Sequence, residues 1–326
     1  MIFSKASGLN DSLYGKVQDP ISMFLQEEEQ AYEKTSQIKN IFNIINSKKY
    51  AESFGYMTSK GDFKAVGEGG AYPETNMQEG YKKTIEPDTW KSKFQVTQEM
   101  VEDAKLFDIK AAGKDFMTSY TRTREKFGAS ILNNASTASM AIGGKSFDIT
   151  GADGMPLFSQ AHPSKTGGAN QSNFFNLAFS YDNLCKIEEY MQKLTDDDGN
   201  LLNIQPDTII IPNNAAIKKL VADVVFTDAG APLGNNNHSF NFNYDRWNVI
   251  VWNQLQNPVG ASSDAFYVMD SSRNQIDGLM WIDRVALNVK SDIDNETDNN
   301  VFRGRARFGA GVNRWLSIAG SWGAAY

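Results

Sequence analysis

The chain has 326 residues, of which 41% are hydrophobic and 22% are charged, so it can bury a sizeable core and is not a disordered tail. Its net charge of −7 excludes a basic field over the whole molecule, and any contact with nucleic acid must therefore be local. No stretch approaches the roughly 18 apolar residues of a membrane span, and the one cysteine excludes an intrachain disulfide.

The N-terminal segment is charged and has little hydrophobic patterning. Gly8, Gly15 and Pro20 interrupt it before an acidic run at residues 27–29. It also lacks the apolar core of a secretory signal. We expect an extended N-terminal arm over residues 1–46.

Residues 54–87 are rich in glycine and charge and contain few apolar side chains. A loop of this length without its own core is uncommon, and is usually functional or disordered. The next residues alternate between apolar and polar side chains, which is typical of a strand. The apolar positions are Trp90, Phe94 and Val96, and the polar ones are Lys91, Lys93 and Gln95. Residues 47–96 are therefore predicted to form a long β-hairpin, an extended loop that projects from the body.

A proline-free stretch over residues 97–135 has apolar side chains at helical spacing. They are Ile109, Ala112, Phe116, Tyr120, Phe127 and Ile131. The stretch predicts a spine helix of roughly 50 Å, although Gly113 and Gly128 weaken it. A loop-rich segment follows, and we group residues 97–176 as one domain.

Residues 177–284 are predicted to form a compact α/β lobe. Ser180 is a candidate N-cap for a helix whose apolar face also holds Cys185 as a small buried hydrophobe. The β-branched run 208–211 predicts a strand, and Asn213 or Asn214 then caps a second helix. The apolar positions of the two helices are Leu184, Ile187, Met191 and Leu194, then Ile217, Leu220, Val221 and Val224. Strands over residues 285–326 return to the first domain.

Two glycine patterns fall short of nucleotide-binding motifs. Gly144, Lys145 and Ser146 resemble the end of a phosphate-binding loop, but Ser139 stands where its first glycine is required. The glycines near position 70 resemble a dinucleotide fingerprint, but Tyr72 replaces the third glycine. Neither pattern predicts a nucleotide site.

Metal and nucleophile motifs are also incomplete. The acidic turn at residues 196–199 lacks the first and last ligands of a calcium loop, which are replaced by Leu194 and Gln205. His162 and His238 have no metal-ligand spacing, so each is expected to be a loop residue. No serine lies in a nucleophile elbow. The sequence predicts no catalytic site, no metal and no cofactor.

One charged pattern remains. Arg303, Arg305 and Arg307 alternate with Phe302, Gly304, Ala306 and Phe308, so a strand would present the three guanidinium groups on one face. This face is either an ordinary solvated surface or a strip that contacts a neighbouring subunit or the interior of a shell. Spacing alone leaves both alternatives open.

Three segments carry a resemblance to a known family. Residues 153–163 (DGMPLFSQAHP) resemble a segment of phage head proteins similar to the Mu-like major head subunit. Residues 206–214 (PDTIIIPNN) and 303–315 are similar to the axial-lobe strand and the terminal strands of the same family. With the order of elements, the whole chain resembles the tailed-phage major capsid protein of the Hong Kong 97 type, an α+β fold.

The resemblance implies a structural role without enzymatic activity. Residues 97–176 and 285–326 would form the peripheral domain, residues 177–284 the axial domain, and the hairpin an extended loop over a neighbour. Hexamers and pentamers would build an icosahedral virion capsid around double-stranded DNA contacted non-specifically, with a portal and no membrane partner. Assembly would occur in the bacterial host cytoplasm.

The short arm before the extended loop leads us to expect a separate scaffolding protein. Some relatives crosslink a lysine to an asparagine, but lysines in exposed loops are ordinary, and we do not expect a crosslink. The candidates would be Lys60, Lys64, Lys82 and Lys83 with Asn295, Asn299 and Asn300. Two alternatives remain: an encapsulin-like nanocompartment shell protein, and more remotely a metal-dependent hydrolase.

Overall fold

The computed structural model describes residues 36–58, 63–72, 74, 79–103, 106–227, 241–258, 261 and 264–322. The helices are α1 (Ile38–Ile41), α2 (Gln98–Glu102), α3 (Leu106–Asn133), α4 (Tyr181–Gln192), α5 (Ala215–Val225) and α6 (Ser271–Asp277). The strands are β1 (Asn43–Asn46), β2 (Glu52–Met57), β3 (Glu79–Ile85), β4 (Asp88–Val96), β5 (Ser139–Ile142), β6 (Lys145–Asp148), β7 (Phe174–Phe175), β8 (Thr208–Pro212), β9 (Asn248–Trp252), β10 (Phe266–Met269), β11 (Leu279–Ile293), β12 (Asn300–Val312) and β13 (Ile318–Ser321). Most of the predicted arm lies outside the described residues.

A four-stranded sheet has the order β1-β11-β12-β4, in which β1 is parallel to β11 and the other pairs are antiparallel. One face of this sheet packs against α3 through aromatic rings. Phe302 stacks on Phe94 with ring centroids 4.8 Å apart, and Phe308 stacks on Trp281 at 5.4 Å. Phe127 of α3 meets the edge of the Phe308 ring at 5.8 Å. These offset and edge contacts hold the long helix on the long strands.

The spine helix starts later than the sequence predicts. Residues 97–135 were expected to form one helix, but α3 begins at Leu106. The short α2 precedes it, and the Thr97 hydroxyl accepts a hydrogen bond from the Met100 backbone N–H. The absence of proline permits a continuous helix but does not require one. The 28 residues of α3 span about 42 Å.

The apolar face of the spine helix is as predicted where its side chains are described. Phe116, Phe127 and Ile131 are buried, and Tyr120 is partly buried against them. The side chain of Ile109 lies outside the described set. Helical spacing therefore identified the contact face even though the start of the helix was wrong.

A five-stranded sheet of the order β7-β13-β10-β8-β9 forms the second body of the chain. Helices α4 and α5 pack on it and form a separate hydrophobic core with β8 and β10. The sheet pairing adds two strands to this lobe from the ranges 97–176 and 285–326, which the sequence analysis groups as one domain. Strand β7 comes from the first range and β13 from the second, and both pair in this lobe sheet. Strand partners are non-local, so the sequence order did not reveal this exchange.

Details of the lobe follow local rules with two exceptions. The side chains of Ser180 and Asn214 cap α4 and α5, as predicted. Leu220, predicted to be on the apolar face of α5, is 48% exposed because it lies on the solvent side of the helix. Cys185 is half-buried rather than buried, and its Sγ accepts a hydrogen bond from the Asn243 side chain.

The extended hairpin is shorter than the predicted range 47–96. Strand β2 pairs with β3, whereas β4 pairs with β12 in the four-stranded sheet. Strand β4 joins the sheet because its apolar side packs beneath α3. The base of the hairpin rests on the body through Phe54 and Ile85, which contact Met280 and Ile282.

Candidate functional site

The three arginines of the predicted strip lie on β12 and point away from α3. Arg303 and Arg305 are exposed and Arg307 is half-buried, whereas the residues between them are buried. The alternation along β12 therefore places the guanidinium groups on the face opposite the spine helix, as the sequence predicts.

The strand register widens this strip into a basic face. Lys93 of β4 and Lys290 of β11 lie directly beside Arg303, and Lys91 lies beside Arg305. Directly paired residues in a sheet share a face, so these cations crowd one surface. We define the basic face as Lys91, Lys93, Lys290, Arg303, Arg305 and Arg307. The alternation in the sequence predicted the polar side of β4. It could not predict the pairing of β11 with β12, which places Lys290 on the same face.

Few carboxylates neutralise the basic face. Arg303 forms an ion pair with Asp292 at 3.4 Å, and both side chains are more than half exposed. An exposed pair of this kind contributes only about 0–1 kcal/mol. Within the described part of the chain, the side chains of Arg305, Lys91 and Lys290 form no ion pair or hydrogen bond. Like charges on directly paired residues of adjacent strands destabilise a sheet. The stability of the isolated subunit therefore does not explain why these cations lie together.

The basic face is concave. Its central residues line an open depression of about 730 Å³ that runs across β4, β12 and β11. At one end the Arg307 guanidinium donates to the Pro87 carbonyl oxygen at 3.4 Å, while its Nε is buried and has no acceptor among the described residues. A concave surface with unpaired guanidinium and ammonium donors is suited to an anionic partner.

His162 has a structural role that the sequence did not reveal. It lies in a loop, as predicted, but it is buried between Asp153 and Asn173 and stacks on Trp315 at a ring distance of 4.2 Å. Its Nδ1 is 2.6 Å from a carboxylate oxygen of Asp153, and its Nε2 is 3.0 Å from the amide oxygen of Asn173. The side chain ties two loops together. His238 lies outside the described residues.

The hairpin docks on its own body beside this loop. The Tyr56 hydroxyl donates to an Asp197 carboxylate oxygen at 3.0 Å, and the Arg314 guanidinium lies 3.9 Å from the centre of the Tyr56 ring. The Lys165 ammonium lies 4.8 Å from the centre of the Tyr81 ring. Burial raises the pKa of Tyr56 to about 12, against the lowering effect of Arg314. These contacts make the base of the hairpin part of the subunit.

The other sequence patterns have ordinary structural explanations. Gly143 and Gly144 have positive φ angles in the tight turn between β5 and β6, and Lys145 binds Asp88 at 2.6 Å. In the acidic turn, an Asp196 carboxylate oxygen accepts backbone hydrogen bonds within the turn. Among the residues that the structure describes, no three histidine, cysteine or acidic side chains could jointly hold a metal ion. None of the described helices is long and apolar enough to cross a membrane.

Solved structures with the same fold are capsids and phage structures. A Mycobacterium phage Patience structure has a TM-score of 0.56 and 11% identity, with coverage of 100% of this chain and 91% of that chain. A Gordonia phage Cozz structure has a TM-score of 0.53 and 11% identity, with coverage of 89% of this chain and 87% of that chain. The capsid of an empty GTA particle has a TM-score of 0.52 and 13% identity, with coverage of 89% of this chain and 90% of that chain. Identities this low establish the fold alone, and it is the Hong Kong 97-type fold expected from the sequence.

The sequence itself identifies the family. Residues 80–320 match the model of a family described as phage capsid protein. No match is found among curated protein sequences. The matched range runs from β3 to β13 and covers both sheets, the spine helix and the basic face. Because this range is well over half of the molecule, the chain belongs to the phage capsid protein family.

Proposed function

We propose that the chain is the major capsid protein of a tailed double-stranded DNA phage, and that it assembles into hexamers and pentamers of an icosahedral shell. The observation that carries this proposal is the family match over residues 80–320 on a chain with the Hong Kong 97-type fold. Members of this family are structural proteins, and the function follows from surfaces between copies rather than from a reaction centre.

Each segment then has a part in the shell. Residues 1–46 are the arm, residues 47–96 contain the extended loop, residues 97–176 and 285–326 contribute most of the peripheral domain, and residues 177–284 most of the axial domain. The exchange of β7 and β13 into the lobe sheet joins the two domains. Because the two domains share a sheet, they are not connected by a flexible linker alone and can remain together in a closed shell.

The remaining partners follow from this role. A separate scaffolding protein guides assembly in the bacterial host cytoplasm, a portal occupies one vertex, and packaged DNA is contacted non-specifically. The strip of Arg303, Arg305 and Arg307 faces a neighbouring subunit or the lumen. Its cations support this assignment because, among the residues that the structure describes, Asp292 is the one carboxylate that pairs with them. No catalytic activity is required.

Electron microscopy of particles purified from cells that express the chain tests the proposal. We expect closed particles built from sixfold and fivefold capsomers. Small cages loaded with an enzyme cargo would favour the encapsulin-like alternative. A protein that stays monomeric at all concentrations and carries stoichiometric zinc would favour the hydrolase instead.

The arginine strip has its own test. Arg303, Arg305 and Arg307 are changed together to glutamine, and assembly and DNA retention are measured at low ionic strength, where exposed charges are least screened. We expect loss of at least one of the two. If both are unaltered, the strip is only a solvated surface.

A further inference from the structure

We propose that the basic face binds the acidic N-terminal segment, residues 19–33, of a second copy of this chain. The inference rests on the proposed shell function, because a shell brings copies together, but it assigns an occupant that the shell function does not specify. The occupant is an anionic, partly apolar peptide rather than nucleic acid.

The acidic segment has the charge that the basic face lacks. It contains no lysine or arginine, and its acidic residues are Asp19, Glu27, Glu28, Glu29 and Glu33. On the basic face, Asp292 is the carboxylate that pairs with one of the six cations. Opposite charges in these numbers favour both encounter and correct alignment of the two surfaces.

The size of the basic face fits an extended peptide. Three adjacent strands make it about 10 Å wide, and the segment of 15 residues reaches about 50 Å when extended. Alternate residues of an extended chain point to the same side, so Glu27 and Glu29 can face the cations together. A DNA duplex is a convex cylinder wider than this depression and would contact mainly its rim.

Buried donors at one end of the basic face also call for an acceptor. Arg307 Nε and Arg284 Nη1 are both buried without a hydrogen-bond partner among the described residues. In the strand register Arg284 lies at the bulge next to Val285, and Val285 pairs with Arg307. A buried unpaired donor costs about 1–3 kcal/mol, and a guanidinium fork is best satisfied by a carboxylate.

The point where the arm joins the body favours a second copy. The Ser36 hydroxyl donates to Glu125 of α3 at 2.7 Å, so the chain enters the body on the helix side of the sheet. The basic face is on the opposite side. The described chain therefore begins on the side of the sheet opposite its own basic face, whereas in a shell a neighbouring subunit can present that face to the segment.

Cysteine crosslinking in assembled particles tests the assignment. Copies carrying Arg305→Cys are mixed with copies carrying Glu29→Cys, both in a Cys185→Ser background, assembled, oxidised and separated under denaturing conditions. We expect a covalent dimer of the two variants. Particles without this dimer, or a crosslink that forms only when both cysteines are in one chain, would overturn the proposal. Failure of the unaltered chain to form particles would contradict the shell function instead.

Charge reversal provides a second measurement. Arg303→Glu with Arg305→Glu should reduce the yield of closed particles at least about tenfold at low salt, and adding Glu27→Lys with Glu29→Lys should restore it. Lys218→Glu with Lys219→Glu on the exposed surface of α5 is the matched control and should assemble normally. If the reversed arginines leave assembly intact and only weaken binding of a duplex DNA probe, the face binds phosphate and the proposal is wrong.

Discussion

Gly304 and Phe116 show how a single residue fixes the distance between β12 and α3. A Cβ atom on Gly304 would lie 2.4 Å from Phe116 Cζ, far inside van der Waals contact. We expect Gly304→Ala to lower the free energy of unfolding by about 1–3 kcal/mol through overpacking. We expect Phe116→Ala to lower it by about 3–5 kcal/mol, because the ring is buried.

Denaturant unfolding of the unassembled subunit measures both changes. In the double variant Gly304→Ala with Phe116→Leu, the smaller side chain should relieve part of the clash, so the two effects should not add. Strictly additive effects would mean that the Gly304 backbone moves away from the ring and that the contact does not set the spacing.

Tyr56 should make the docking of the hairpin dependent on pH. Burial raises the pKa of Tyr56 from its ordinary value of 10.0 to about 12. The unfolded chain therefore releases this proton first as the pH rises. The stability that the neutral phenol contributes is complete below about pH 10 and is lost progressively towards pH 12.

The ultraviolet absorbance of phenolate, measured during an alkaline titration, checks this expectation. The difference between the unaltered chain and Tyr56→Phe isolates the one group, because the other tyrosines cancel. A Tyr56 that ionises near pH 10 would show that the ring is not docked against Asp197 and Arg314 in solution.

At the scale of elements, one half-buried ion pair joins α3 to β11. Arg124 contacts Asp283 through two parallel hydrogen bonds of 3.1 and 2.9 Å, and its guanidinium lies 5.1 Å from the centre of the Trp281 ring. Burial lowers the pKa of Arg124, but Tyr120 and Asp283 outweigh it and raise the pKa above its ordinary value. Arg124→Met would leave the half-buried Asp283 carboxylate with the Trp281 indole N–H as its remaining side-chain donor among the described residues. We expect this loss to cost about 1–3 kcal/mol.

Thermal unfolding of the unassembled subunit measures this loss. Arg124→Lys should lose less, because an ammonium keeps the charge without the two-point contact. The double variant Arg124→Met with Asp283→Leu should recover much of the stability, since it removes the stranded charge. A double variant as unstable as Arg124→Met would show that packing, and not the ion pair, carries the effect.

Elements governed by local interactions could be predicted from the sequence, and their partners could not. The caps Ser180 and Asn214 bond to backbone groups two or three residues away, and the apolar face of α3 follows from helical spacing. By contrast, β4 pairs with a strand about two hundred residues later, and β13 pairs in the lobe sheet and not with the long strands β11 and β12. Such pairings depend on which surfaces remain to be covered in three dimensions.

The same distinction between local and non-local interactions decides which parts of the candidate site could be predicted. Alternation along β12 predicted the orientation of Arg303, Arg305 and Arg307. The addition of Lys290 required the register between β11 and β12, which contains two irregularities that no sequence pattern marks. His162 was placed correctly in a loop, but its burial required Asp153 and Asn173 to meet it from other positions in the chain.

At the scale of the whole molecule, the hairpin is divided into an anchored base and an exposed tip. Tyr56 and Lys83 bind the body, whereas every described residue from 63 to 72 is exposed. Phe63 and Tyr72 are fully exposed aromatic side chains within that tip. Such side chains gain free energy only when another surface covers them, and in a shell that surface belongs to an adjacent copy.

Replacing residues 59–78 with a short glycine-serine bridge should therefore leave a folded subunit that cannot close a shell. A two-stranded hairpin tip adds little stability by itself, so circular dichroism and the melting temperature should remain nearly unchanged. Contacts repeated around every capsomer should be lost together, and electron microscopy should reveal no closed particles. Phe63→Ser with Tyr72→Ser is the matched control that keeps the length of the loop, and it should weaken assembly without affecting the melting temperature. Normal shells from the deletion variant, or a subunit that fails to fold, would contradict this role for the tip.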